Sequence, residues 1–218
     1  MIAALAILFR ILKVVLVLLL PFMALIRGAV YVHTRYELGA VVSILSGLFF
    51  CVLVLLLYYS LIFERVTDRF GSAKAFSSRA KFIAVFVLGF IIHGVFFIGT
   101  GNMKSTALSK SVRQLHPIIR LAVSTVIIVD RDFIITDGSR TPEDYRRMGL
   151  PSKKNSLHYR QPDGYAYAID LRTNRRSAWR NALIRTYFRI MGFRTLRHVG
   201  TDDHLHVSLY CPYLPKSL

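Results

Sequence analysis

Three long apolar stretches fill the first hundred positions, and polar residues interrupt them mainly at their ends. Residues 38–63 form an uncharged, almost wholly apolar run of 26 residues. As a helix rising about 1.5 Å per residue, that run more than crosses a hydrocarbon core of roughly 30 Å. Residues 82–98 form a second run of 17, interrupted only by His93 and two glycines, near the lower limit for a span. A third run, 14–26, is preceded by the apolar stretch 2–9, with Arg10 and Lys13 between them. A helix that starts upstream spans there if the two cations snorkel toward the headgroups. The pattern predicts transmembrane helices over about 8–26, 38–63 and 82–98. Pro21-Phe22-Met23 is a poor small-residue cleavage site, so the first helix is expected to be retained, not removed as a signal peptide.

Beyond Gly99-Thr100-Gly101-Asn102 the pattern changes. Residues 104–121 read as a polar-to-amphipathic helix, with Leu108, Val112, Leu115 and Ile119 at helical spacing and a break at Pro117. The segments STVIIVD (124–130) and DFIITDG (132–138) are rich in β-branched residues and bounded by turn formers, which predicts two short strands. TPEDYRRMG predicts a helix start, with Thr141 as N-cap, Pro142 in the first position and acidic residues in the first turn. Residues 177–191 predict a second helix carrying Trp179, Leu183, Ile184, Tyr187 and Phe188 on one face, ended by Gly192. Strands are expected around 194–198 and 204–210. There is no internal repeat and no low-complexity tail. The expected architecture is a three-helix membrane anchor over residues 1–100, followed by a small α+β unit with an antiparallel sheet over 105–218.

Charge sets the orientation and narrows the partners. The chain of 218 residues carries 29 Lys+Arg against 12 Asp+Glu, a formal charge of +17, and its mean hydropathy is +0.45. Both halves are basic, which favours anionic partners: phospholipid headgroups, nucleic acid or an acidic wall polymer. The aromatics do not interleave with the cations in a stacking pattern, which argues against specific nucleic-acid binding. The loop 64–81 carries Arg65, Arg69, Lys74, Arg79 and Lys81, whereas 27–37 carries only Arg27 and Arg35. The positive-inside rule then puts 64–81 and the N-terminus in the cytoplasm and the C-terminal half outside. Arg172, Arg175, Arg176 and Arg180 read as a solvated basic face, His33, His116 and His198 as surface or structural residues, and His93 as a neutral, helix-facing histidine. Two cysteines, Cys51 and Cys211, are too few for a disulfide framework or a Cys-rich zinc site, so any metal must be held by His and carboxylate.

His158, Asp170 and His206 supply such a donor set, and Asp203 stands three residues before the last histidine. Two histidines and a carboxylate make a three-ligand zinc site with one open position, and a second carboxylate can act as base toward water there. Gln161-Pro162-Asp163-Gly164 is a strong turn signal. A hairpin centred on Gly164 would set His158 opposite Asp170, with Cβ atoms about 5 Å apart. His204 and His206 share a strand face, so one can bind metal while the other contacts substrate.

These segments resemble the D-alanyl-D-alanine metallopeptidase family, which includes vancomycin-resistance dipeptidases, cell-wall carboxypeptidases and phage L-alanyl-D-glutamate endolysins. The resemblance covers roughly residues 110–210, in the family's order. It rests on Thr136-Asp137-Gly138-Ser139-Arg140-Thr141-Pro142-Glu143, Ser156-Leu157-His158, Ala168-Ile169-Asp170 and Asp203-His204-Leu205-His206. The family has six residues between ligand histidine and aspartate where this chain has eleven; taking out 160–164 at the predicted turn restores the spacing, and Ala166 then stands in place of a glycine. The resemblance implies a Zn2+ peptidase fold. His158, Asp170 and His206 are then metal ligands, Asp203 the general base and acid, and Arg140 the group that polarises the scissile carbonyl. His204 is an auxiliary transition-state residue, and Ser156 contacts substrate or fixes the His158 loop. It further implies hydrolysis of an amide bond in the peptidoglycan stem peptide by an enzyme tethered in the lipid bilayer, in wall remodelling or in phage entry and lysis. A phage with an internal membrane would suit such a protein, and the anchor leaves room for self-association. The rival expectation is a membrane structural or pore-forming protein whose C-terminal unit binds wall without cleaving it.

Overall fold

Each of the three apolar stretches forms one continuous helix in the computed structural model, which describes residues 2–67, 73–149, 151, 155–200 and 203–217. These are α1 (Ile2–Tyr36), α2 (Ala40–Thr67) and α3 (Ala73–Phe96). All three are long and apolar enough to cross a membrane, over Leu5–Tyr36, Ala40–Leu61 and Lys74–Phe96. The first is longer than the sequence predicts, because the helix runs on through Arg27 and His33 to Tyr36. Lys74, Arg79 and Lys81, expected in a loop, stand on the first turns of α3, where the Arg79 guanidinium lies 4.4 Å from the centre of the Tyr59 ring. Residues 68–72 of that predicted loop lie outside the described residues. Large apolar side chains such as Phe9, Leu18, Phe82 and Phe86 are exposed on the outer faces, as suits a lipid solvent. Between α1 and α2 the backbones touch. A Cβ added at Gly47 would lie 2.2 Å from the Leu25 carbonyl oxygen, the close small-residue crossing used by helices that pack within bilayers.

The predicted helix over 104–121 divides at its proline into α4 (Leu108–Arg113) and α5 (Pro117–Val129). Pro117 occupies the first turn of α5, where its missing N–H costs nothing, and the His116 ring caps the turn by accepting from the Ile118 N–H. This helix replaces the strand expected at 124–130. Every residue from Pro117 to Ser124 is buried. A short β-branched run does not by itself separate strand from helix, and here it continues the helix begun in the buried stretch, with Val126 buried and Ile128 and Val129 exposed.

The remaining elements are β1 (Ile135–Asp137), α6 (Pro142–Arg147), β2 (Ala168–Arg172), α7 (Ala178–Met191), β3 (Arg194–His198) and β4 (His204–Ser208). The start of α6 is as expected: the Thr141 side chain accepts from the Asp144 N–H and the Asp144 carboxylate accepts from the Thr141 N–H, a reciprocal cap. Gly192 ends α7 at φ 96°, a left-handed conformation that glycine adopts without strain. The face of α7 differs from the predicted stripe. Ile184 and Phe188 are buried and the Tyr187 hydroxyl donates to the Ala122 carbonyl, but Trp179 is 65% exposed and Leu183 is exposed as well. The basic cluster is not simply solvated either: Arg176, buried, and Arg180 both pair with Asp130, and Arg180 also pairs with Asp132, tying α7 to the turn after α5.

The four strands form one antiparallel sheet in the order β1-β2-β4-β3. Alternation along the strands divides its faces. Ile169, Leu171, Leu205 and Val207 are buried in the core, while Asp170, His206, His204 and His198 belong to the opposite face. The core is continuous from Leu25 in α1 to Cys211 beyond β4. The two expected units therefore share it, with α5 packed between the apolar helices and the sheet. Both ring nitrogens of His33 face carbonyl oxygens, Leu38 O at 2.8 Å and Tyr210 O at 3.0 Å, which links α1 directly to the end of the chain. Cys51 and Cys211 are free and buried.

Candidate metal centre

Register brings two of the three expected ligands together. On adjacent strands Asp170 pairs with His206, and the His206 Nδ1 lies 2.9 Å from Asp170 Oδ1. His158 arrives from a loop, not from the hairpin partner strand predicted for it. The turn closes between Gln161 and Tyr165, and the Tyr167 N–H bonds to the Leu157 carbonyl, so His158 is not the cross-strand partner of Asp170. Its ring nevertheless reaches over the sheet: Nε2 lies 3.4 Å from Asp170 Oδ1 and 3.3 Å from His206 Nδ1. Residues 160–164 thus form their own turn while the His158 ring still reaches Asp170 and His206.

His158, Asp170 and His206 form a group that could hold a metal ion, with one donor atom from each inside 4.8 Å of the others. The donor chemistry fits zinc. Bonds of about 2.0–2.1 Å in tetrahedral geometry place ligand atoms about 3.3 Å apart, close to the spacings here. His158 Nδ1 donates to the Gly138 carbonyl at 2.6 Å, which turns Nε2 toward the cluster. The two oxygens of Asp170 are divided: Oδ1 faces both histidines, and Oδ2 accepts from Arg140 Nη2 at 2.8 Å. Burial would raise the Asp170 carboxyl, but the hydrogen bonds and charge of His158 and His206 outweigh it and hold the group well below the usual carboxylate range.

Arg140 is placed differently from the role the resemblance implies. Its Nε donates to Asp137 Oδ2 at 2.7 Å, its backbone N–H to the His158 carbonyl, and its Nη2 to Asp170. It therefore fixes the Asp170 carboxylate and the His158 loop at once. Ser156 is buried; its hydroxyl shares a hydrogen bond of 2.8 Å with Tyr145 and accepts from the His158 N–H. Of the two roles expected for Ser156, the geometry supports fixing the loop.

Asp203 stands apart from the cluster. Thr173 donates to its Oδ1 at 2.6 Å, and Arg197 holds both oxygens at 3.1 and 2.8 Å. Hydrogen bonds from Arg197 and then Thr173 pull its carboxyl down to about 2, a poor base. His204 is better placed, with Nε2 3.8 Å from Asp170 Oδ1 and its side chain 25% exposed. Sequence reasoning passed over His198, which pairs with His204 across β3 and β4 and stacks on it at 4.7 Å. It also missed Asp137 and Tyr145, the partners of Arg140 and Ser156. A turn flanked by two histidines six residues apart was the available signal for His198.

No protein-family model, curated protein or solved structure matches the chain, so the resemblance to the metallopeptidases rests on its short motifs.

Proposed function

We propose that the protein is a membrane-anchored zinc peptidase that hydrolyses an amide bond in the stem peptide of peptidoglycan. The convergence of His158 Nε2, Asp170 Oδ1 and His206 Nδ1 at 2.9–3.4 Å carries the reading. The order of the four motifs along the chain supports it. Zinc bound there would supply Lewis acidity toward water and the scissile carbonyl. Around it, Arg140 orients Asp170, Ser156 and Gly138 orient His158, and His204 holds or moves a proton on the open side of the cluster. Asp203 serves as base only after releasing Arg197. The charge of the loops supports a cytoplasmic N-terminus with the C-terminal unit on the wall side, in a bacterial membrane or that of a membrane-containing phage. Tethering confines the activity to wall within reach and raises its effective concentration.

The test is digestion of purified peptidoglycan by the full chain in detergent, with products read by mass spectrometry. Stem-peptide cleavage is expected with Zn2+, with at least ~100-fold loss in chelator or in Asp170→Asn. Equal product with and without chelator would overturn the reading. The engagement of Asp203 by Arg197 favours a second one, a wall-binding protein without catalysis. That protein would bind zinc in a competition titration and retain peptidoglycan in pull-down, yet release no product.

A further inference from the structure

At the point where α3 leaves its apolar span, the chain encloses an open cavity of about 220 Å³. Phe96, Phe97 and Ile98 from the end of α3 line one side, and Ser109, Arg113 and Arg120 from α4 and α5 line the other. Its chemistry is two-sided. Phe96 and Phe97 also expose most of their surface outward, toward the depth at which a span ending at Phe96 meets the headgroup layer. The opposite wall holds two cations without an anion.

Arg120 is the telling residue. It is only 9% exposed, its Nε is buried with no hydrogen-bond partner, and its guanidinium carbon lies 6.0 Å from the centre of the Phe96 ring. Neither Arg113 nor Arg120 forms an ion pair with a described residue. A buried guanidinium without a counter-charge is costly, and Phe96 offers it only a distant ring face. Burial accordingly lowers its pKa from the ordinary arginine value. The paired forks of two arginines match the oxygens of a phosphate group. A free anion would satisfy the cations but leave the phenylalanine wall uncovered, whereas a phosphate carried on acyl chains covers both.

We propose that this cavity binds the phosphate of an anionic phospholipid, with Arg120 and Arg113 on the phosphate oxygens and the acyl chains along Phe96 and Phe97. The site is independent of the metal centre and of the peptidase reading.

Native mass spectrometry and thermal unfolding of the delipidated full chain in detergent test it. The probes are phosphatidylglycerol, phosphatidylcholine and inorganic phosphate. Phosphatidylglycerol is expected to stay bound at one copy and to raise the unfolding midpoint, with at least a tenfold preference over phosphatidylcholine. Inorganic phosphate at the same concentration is expected to do neither. Arg113→Gln removes the preference. Arg120→Gln removes it too and raises the lipid-free midpoint, because a buried unpaired charge is gone. Arg185→Gln, which lowers the net charge equally on an exposed face of α7, leaves the preference intact. Equal retention of the two lipids, a preference surviving in Arg113→Gln, or an equal loss in Arg185→Gln would each sink the proposal. A full shift with inorganic phosphate would assign the site to the free anion and overturn the lipid.

Discussion

At the residue scale, the site shows how one backbone position commits several side chains. The Asp137–Arg140 turn presents a carbonyl to His158 Nδ1 and a guanidinium to Asp170 Oδ2, so a single loop orients both side chains of the candidate donor group. Asp203 follows a different logic. Its carboxyl is depressed to about 2 by Arg197 and Thr173, below its ordinary value near 3.8. Any stability from that pairing is therefore fully present above pH 4 and lost as pH falls through about 2, and it contributes no titration near neutrality. Arg197→Gln is expected to return the Asp203 carboxyl toward its ordinary value, read by carboxyl NMR titration; an unchanged midpoint would show that Thr173 alone holds it. That His158, Asp170 and His206 form a candidate donor group was legible in the sequence from the residue types alone. The place of Asp203 was legible too, but went unread. Residues three apart on an extended strand face opposite sides, so a carboxylate at 203 shares the side of Leu205, not that of His204 and His206.

At the element scale, caps and close approaches decide more than propensity. Thr141, Pro142 and Gly192 punctuate their helices as their chemistry requires, and these boundaries could be read directly. The strand expected at 124–130 failed because a short β-branched run fits strand or helix alike, and these residues continue α5, with Val126 buried and Ile128 and Val129 exposed. Likewise Trp179 and Leu183 of α7 are exposed despite their spacing, since Arg176 and Arg180 bind Asp130 and Asp132 and thereby fix which face turns inward. Gly192 carries two constraints together. Its φ is 96°, and a Cβ there would fall 1.9 Å from Arg27 Nη1 on α1. Gly192→Ala is expected to cost at least about 1–2 kcal/mol, the penalty of an L-residue in the left-handed region. Thermal unfolding of the full chain in detergent measures it; an unchanged midpoint would mean that residue 192 does not hold the left-handed conformation.

At the scale of the whole molecule, the composition shift near residue 100 marks a change of solvent more than a break in packing. Composition reports which atoms suit lipid and which suit water, and the last of the three apolar helices ends at Phe96, close to the shift. Composition is silent on whether two such regions share an interior, which long-range packing alone decides. Here α5 buries its residues against α3 and α1 on one side and the sheet on the other, and Ser124 donates to the Gly94 carbonyl inside α3. His33 on α1 bonds to the carbonyl of Tyr210 and stacks near Tyr167 at 5.9 Å. Residues 105–218 on their own would expose the apolar face of α5 and leave the Tyr210 carbonyl without its ring partner, each a destabilising change. The three apolar helices are thus expected to be part of the fold that holds His158, Asp170 and His206 together, not only a tether. Hydrogen exchange tests this directly. Amides of β4 from Leu205 to Ser208 should lose protection in the isolated 105–218 fragment, and in full-length His33→Ala they should lose some of it, by about 1 kcal/mol of opening free energy for the lost ring hydrogen bond. Protection in the fragment equal to that of the full chain would show that the C-terminal half folds by itself. The helices would then be a tether and nothing more.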